Sequence, residues 1–98
     1  MYLPDASKAL VLEILHAILP DDVEAFAFGS RVHGRNLKPF SDLDICVKGK
    51  GALGSDRMMS LQEAFRESDL PIQVDVVDWY EVSDEFRHII GEQMVPLS

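Results

Sequence analysis

Two short apolar segments joined by a Gly-Ser turn and a loop restrict how this chain can fold more than any other feature. The first segment is residues 23–28, and it runs directly into Gly29 and Ser30. The second is residues 42–47, and its first and third positions are both aspartate. Near-continuous apolar runs of this length are typical of strands buried in a sheet. We therefore predict two strands of one sheet, with the turn at the end of the first.

The aspartates Asp42 and Asp44 lie two residues apart on the second predicted strand. Alternate side chains of a strand point to the same face, so these two carboxylates are predicted to project side by side. Carboxylates held that close repel each other unless a positive charge lies between them. Oxygen ligands of this kind suit a hard divalent cation such as Mg²⁺.

The Gly-Ser turn supplies features of a phosphate site. Gly29 has no Cβ, so backbone amides there can approach a ligand closely. If Ser30 begins a short helix, its free amides and its hydroxyl would face an anion. Amides for phosphate beside carboxylates for a metal ion together predict a site for a nucleoside triphosphate.

The remaining elements follow from helical and alternating hydrophobic spacing. A short helical turn and a loop are expected over residues 30–40. The other predicted elements are a helix over 5–19, a helix from Ser55 or Asp56 to about Ser68, a strand over Pro71–Trp79 and a helix that Ser83 caps. The order helix, strand, strand, helix, strand, helix predicts a three-stranded sheet covered by helices.

The third strand carries two further aspartates, Asp75 and Asp78. Alternation places Asp75 on the polar face of the strand and Asp78 on the opposite face, where we expect a surface or strand-end residue. An acid buried between valines needs a partner, which favours a function for Asp75. The alternative is a surface acid on an edge strand.

Length and composition narrow the class of protein. A chain of 98 residues suits one small domain, residues 1–98. Its single cysteine, Cys46, excludes an internal disulfide framework and favours the cytoplasm, and we expect it to be a small buried filler. No apolar run approaches the roughly 20 residues of a membrane span, and the first residues lack a signal-peptide pattern. We expect no membrane partner.

The formal net charge of −8 argues against broad binding to DNA or RNA, which depends on neutralising phosphates. The basic residues are nevertheless concentrated in one part of the chain. Of the nine Lys and Arg residues, five lie between positions 31 and 50: Arg31, Arg35, Lys38, Lys48 and Lys50. A local basic patch on an acidic body suits a small polyanion such as a nucleotide, although each charge could also be an ordinary solvated one.

The pattern G-S-x-x-x-G at 29–34 followed by S-D-x-D at 41–44 resembles the signature of the DNA polymerase beta-type nucleotidyltransferases. The short chain is similar to their minimal members, the MNT proteins often encoded beside HEPN toxins. The resemblance implies an α/β fold of the α+β type, with a small mixed sheet of three or more strands. It also implies Mg²⁺-dependent transfer of AMP from ATP to a hydroxyl group, namely that of a tyrosine in a HEPN partner. By this modification the protein would act as an antitoxin.

The resemblance also implies roles for particular residues. The catalytic and metal-binding carboxylates would be Asp42, Asp44 and Asp75, and the nucleotide-binding residues would be Gly29, Ser30, Arg31 and Ser41. One position departs from the pattern, because many minimal members have a basic residue directly before the second glycine and this chain has His33. Arg31 or Arg35 would then make that phosphate contact.

Other functions share parts of this pattern. Gly29 and Gly34 have the spacing of a Walker A loop, but Arg35-Asn36 stand where Lys and Ser/Thr are required, which excludes it. A HEPN-binding antitoxin with little or no turnover stays open. So does an adenylyltransferase for a small molecule such as an aminoglycoside, although the chain is short for an acceptor pocket of its own. A second domain of the larger enzymes is missing, so we expect a partner to supply acceptor recognition.

Overall fold

The computed structural model describes residues 3–34 and 42–97. The described residues form four helices and four strands in an alternating arrangement. In chain order these are α1 Asp5–Ile18, β1 Glu24–Phe28, α2 Ser30–His33, β2 Leu43–Lys48, α3 Ser55–Arg66, β3 Val74–Asp78, α4 Asp84–Gln93 and β4 Val95–Pro96. All the predicted helices and strands are present in the predicted order, and β4 is an addition to them.

The strands form one mixed sheet in the order β3-β2-β1-β4. β1 is antiparallel to both β2 and β4, whereas β2 and β3 are parallel. Parallel neighbours need a crossover connection, and α3 provides it here. β1 and β2 are therefore the two interior strands, as expected of their near-continuous apolar sequences.

The strand β4 corrects the prediction of three strands from element order. It pairs with β1 through Phe26 opposite Pro96 and Ala27 opposite Val95. The backbone N–H of Leu97 extends the pairing by donating to the Ala25 carbonyl at 2.8 Å. Two residues are too few to show alternation, and Pro96 lacks a donor and is tolerated only at an edge. The sequence around β4 therefore carries no strand signal.

Apolar residues pack on both faces of the sheet. On one face α1 and α3 cover the larger cluster, which includes Leu43, Ile45 and Val47 from alternate positions of β2. On the other face α4 covers a smaller cluster built from Phe28, Cys46 and Ile90. This confirms the predicted alternation along β2, with Cys46 on the face of the aspartates and fully buried.

The helices begin and end largely where the sequence predicts. The Ser83 hydroxyl accepts a hydrogen bond from the Phe86 backbone N–H at 3.2 Å and so caps α4, as predicted. The predicted third strand was too long at both ends, since β3 covers only Val74–Asp78. Within the described ranges, no helix combines the length and the hydrophobicity that crossing a membrane requires.

Candidate active site

Two carboxylates face each other across the parallel strands β2 and β3. Asp44 lies opposite Asp75 in the register of the pair. Neighbouring strands are about 4.8 Å apart, so side chains at opposed positions on one face are immediate neighbours. Asp42 is exposed and immediately precedes β2, two residues before Asp44. The structure thus places all three predicted carboxylates at one end of the sheet.

The electrostatics of this end centre on Asp44. Its pKa is raised to about 6, first because burial removes water from the carboxylate, then because Asp75 and, to a smaller extent, Asp42 carry like charges nearby. Each of these effects disfavours the ionised form of Asp44. A cation at this position would reverse both like-charge effects, and carboxylate oxygens are suitable ligands for a hard divalent ion.

The three carboxylates do not form a closed ligand cage. Among the residues that the structure describes, no three His, Cys, Asp or Glu side chains are arranged closely enough to hold a metal ion. Asp42 and Asp75 are exposed and only Asp44 is half-buried. The donor chemistry and the charge repulsion suit a metal, and its assignment to these residues remains a prediction.

Gly29 lies directly against Asp44. Its backbone has φ 83° and ψ −157°, a region that is essentially restricted to glycine. A Cβ built on Gly29 would collide with the carboxylate oxygen Oδ2 of Asp44. The antiparallel register explains the proximity, because Phe28, the residue before Gly29, pairs with Asp44. The predicted phosphate turn and the predicted metal ligand are therefore in contact.

The short helix α2 follows this turn. Its N–H groups at Val32 and His33 donate to the Gly29 carbonyl at 2.9 and 3.2 Å, so Ser30 begins a helix as predicted. Arg31 is only 5 % exposed, which contradicts an ordinary solvated loop charge at this position. Arg31 and His33 each have an interaction partner within the protein. The predicted nucleotide ligand Ser41 lies outside the described residues, as does Arg35.

Asp75 is the surface acid on an edge strand that the sequence left as the alternative, and Asp78 ends β3 as predicted but does not lie at the surface. Asp75 is exposed on an edge strand, whereas Asp78 is only 3 % exposed. The carboxylate of Asp78 accepts backbone hydrogen bonds from Leu53 at 2.8 Å and from Tyr80 at 3.0 Å. These amides compensate its burial. Asp78 therefore connects the segment that precedes α3 to the end of β3. Because Asp75 is exposed, its burial cannot be used as an argument for a function.

One residue of this region was not identified from the sequence. The Gln93 side chain accepts a hydrogen bond from the Gly29 backbone N–H, with 3.1 Å between Gly29 N and Gln93 Oε1. Gln93 is the last residue of α4 and lies 64 positions from Gly29 in the chain. Nothing in the local sequence marks it, because the contact depends on how α4 returns across the sheet.

The fold and the site define a class of protein. Residues 15–97 match the family described as polymerase beta, nucleotidyltransferase. The chain belongs to this family, which confirms the resemblance in the Gly-Ser and Ser-Asp-x-Asp motifs. Nucleotidyltransferases of the family generally use a divalent metal ion.

Individual relatives narrow the class. The chain is 45% identical over 87 residues to the probable protein adenylyltransferase MntA of Haemophilus influenzae, covering 89% of this chain and 75% of that protein. It is also similar to a chain of a toxin-antitoxin crystal structure with AMP-PNP, with a TM-score of 0.75, 24% identity, and coverage of 93% of this chain and 72% of that one.

Two further solved structures share the fold. A chain of the toxin-antitoxin MntA-HepT has a TM-score of 0.71 at 21% identity, with 97% of this chain and 72% of that one covered. A complex of tri-AMPylated Shewanella oneidensis HEPN toxin with MNT antitoxin gives a TM-score of 0.70 at 21% identity, with 95% and 70% covered. At these identities the likeness shows a common fold.

Proposed function

We propose that this protein is an Mg²⁺-dependent adenylyltransferase that transfers AMP from ATP to a tyrosine hydroxyl of a HEPN toxin and so acts as an antitoxin. The observation that carries the proposal is the position of Asp44, which lies opposite Asp75 on β3 and against the Gly29 turn. A carboxylate beside like charges suits a divalent metal ion, and a metal ion next to a phosphate-type turn supports nucleotidyl transfer.

The proposed reaction is a single displacement at phosphorus. The acceptor oxygen forms a bond to the α-phosphorus of ATP, the bond to the bridging oxygen breaks, and pyrophosphate leaves. Asp42 and Asp44 would hold Mg²⁺, which supplies positive charge to the triphosphate and to the leaving oxygen. Asp75, exposed beside them, would complete the metal site and accept the proton of the attacking hydroxyl.

The nucleotide is oriented by the turn and by α2. Ser30 would bind the triphosphate through its hydroxyl and backbone amide, together with Arg31 and Ser41. The Gly29 N–H already donates to Gln93, so the predicted role of Gly29 is reduced to shaping the turn. Fixing the β- and γ-phosphates in this way places the α-phosphorus in line with the acceptor. Arg31 is only 5 % exposed, so little of its side chain faces solvent for the proposed contact with phosphate.

The acceptor class comes from the relatives. The Haemophilus influenzae relative is named a protein adenylyltransferase, and the Shewanella oneidensis complex holds an AMPylated HEPN toxin. A protein acceptor also agrees with an acidic chain of net charge −8, which disfavours nucleic acid as acceptor. The single cysteine is buried and suits a reducing compartment, so we place the reaction in the cytoplasm.

The test combines the purified chain with ATP, Mg²⁺ and a HEPN toxin as the proposed acceptor, followed by intact-mass spectrometry of that toxin. We expect mass additions in whole units of AMP, confined by peptide mapping to tyrosine. The variant Asp44→Asn should abolish the addition, because it removes a metal ligand while keeping the side-chain shape.

Asp22→Asn is the matched control, because Asp22 is an exposed aspartate in the turn before β1, at the opposite end of that strand from Gly29. It should transfer AMP as the wild type does. If neither the wild type nor Asp44→Asn adds mass and both silence the toxin equally, the protein is a binding antitoxin and the enzymatic proposal is refuted.

A further inference from the structure

Both polar groups of the Gly29 backbone are already engaged within the protein. Its N–H donates to Gln93 Oε1 at 3.1 Å. Its carbonyl accepts from the N–H groups of Val32 and His33 at 2.9 and 3.2 Å. Gly29 therefore does not offer a free amide to phosphate in this arrangement. The contribution of Gly29 to the site is conformational, because its backbone sets the orientation of the following residue, Ser30.

Gln93 holds Gly29 from a part of the chain that is itself fixed on two sides. On one side α4 is anchored by Ile90, which is fully buried in the smaller apolar cluster. On the other side Met94 leads directly into β4, which pairs with β1, and the Met94 N–H donates to the Ile90 carbonyl at 2.8 Å. Gln93 itself is half-buried between these attachments.

The turn also contacts Asp44, whose carboxylate occupies the space that a Gly29 Cβ would need. Gly29 is thus in contact with both a hydrogen-bond acceptor on α4 and a carboxylate on β2. The backbone conformation of Gly29, with φ 83°, is only one of many that a glycine can adopt in the unfolded chain. A specific acceptor for its N–H selects one of them.

We propose that Gln93 is a positioning residue of the nucleotide site, which orients the Gly29-Ser30 turn through its hydrogen bond to Gly29. This rests on the proposed function, in which that turn holds the triphosphate. The orientation matters because a displacement of about 1 Å in a substrate-positioning group can lower a rate about 100-fold. The C-terminal helix is thereby part of the active site.

The experiment compares two variants of Gln93 with a matched control. Gln93→Met keeps the length of the side chain and removes the acceptor, whereas Gln93→Glu keeps an acceptor oxygen. Glu92→Met makes a similar replacement at the preceding residue, whose exposed side chain contacts His88. Each protein is assayed for kcat and KM with ATP, for ATP affinity by calorimetry, and for hydrogen exchange of the Gly29 amide by NMR.

For Gln93→Met we expect kcat/KM to fall about tenfold and Gly29 amide exchange to accelerate about tenfold. Gln93→Glu should restore the protection of the Gly29 amide, and Glu92→Met should match the wild type in every measurement. The result that overturns the inference is a Gln93→Met protein with a lower melting temperature but wild-type kcat/KM, because this is the signature of a packing role.

Failure of the proposed function gives a different result. If the wild type transfers no AMP, the enzymatic proposal is refuted, and ATP affinity and amide exchange, which need no turnover, decide the role of Gln93. Weaker ATP binding and faster Gly29 exchange in Gln93→Met would then support it. Unchanged ATP affinity would overturn it.

Discussion

Replacing Asp44 with Asn should stabilise the folded protein, and the gain should depend on pH. The pKa of Asp44 is raised from 3.8 to about 6 by burial and by Asp75 and Asp42. Between these two pH values the folded protein holds a proton on Asp44 that the unfolded chain has released. The free energy of unfolding of the wild type therefore falls as pH rises through this window. Asn carries no charge, so the variant avoids this loss.

The magnitude follows from the size of the shift. A difference of about 2 pKa units corresponds to about 3 kcal/mol when no solvent screens the charge. Asp44 is half-buried and its two acidic neighbours are exposed, so water reduces this value, and we expect about 1 kcal/mol. For a domain of this size, 1 kcal/mol raises the melting temperature by about 4–8 °C.

Urea denaturation of the wild type and Asp44→Asn at pH 4 and pH 7.5, in a buffer with a metal chelator, measures the effect. The variant should be more stable by about 1 kcal/mol at pH 7.5, and the difference should largely disappear at pH 4, where Asp44 is protonated. Asp22→Asn controls for removing an exposed acid. An equal stability difference at both pH values would refute the electrostatic argument. Saturating Mg²⁺ should stabilise only the protein that keeps Asp44.

Three further predictions concern residues around the site. Gly29→Ala should lower the free energy of unfolding by about 1–3 kcal/mol and abolish AMP transfer, because alanine disfavours this backbone conformation and its Cβ would collide with Asp44 Oδ2. A variant that mass spectrometry shows to be fully active would contradict this. Asp78→Ala should destabilise by about 1–3 kcal/mol in urea, since two backbone amides lose their acceptor, and an unaltered unfolding midpoint would be inconsistent with it. Cys46 is fully buried, and its pKa is raised to about 11, chiefly by burial. Its thiol should therefore resist iodoacetamide at pH 8 until the protein is unfolded. Rapid labelling of the native protein would show that the thiol is accessible.

The parts of the site that sequence predicts are those set by local spacing. Asp42 and Asp44 are two residues apart, just before and just inside the start of β2, so alternation alone predicts that they share a face. Ser30 follows a glycine at the end of an apolar strand, and the turn and the short helix were both predicted. The apolar side chains of β2 reach the opposite face for the same reason, and the structure confirms this division.

The parts that sequence could not predict depend on contacts between distant residues. Whether Asp75 or Asp78 is buried depends on β3 being an edge strand and on the backbone of Leu53 reaching Asp78, neither of which alternation reveals. Gln93 meets Gly29 only because α4 crosses the sheet and is followed by β4. A two-residue strand has no periodicity, so the segment that fixes Gln93 was itself undetectable.

The mixed sheet explains how one end of this small fold can carry all these groups. β1 runs toward that end and Gly29 follows its last residue, while the antiparallel β2 starts there, so the turn and Asp44 meet across one strand pair. β3 runs parallel to β2 and therefore brings Asp75 to the same end. Because odd positions of β2 build the larger core and Asp44 lies on the other face, the charge at the site can change without a change in that core. Stability and catalysis should therefore separate at Asp44, where removing the carboxylate strengthens the fold and ends the reaction.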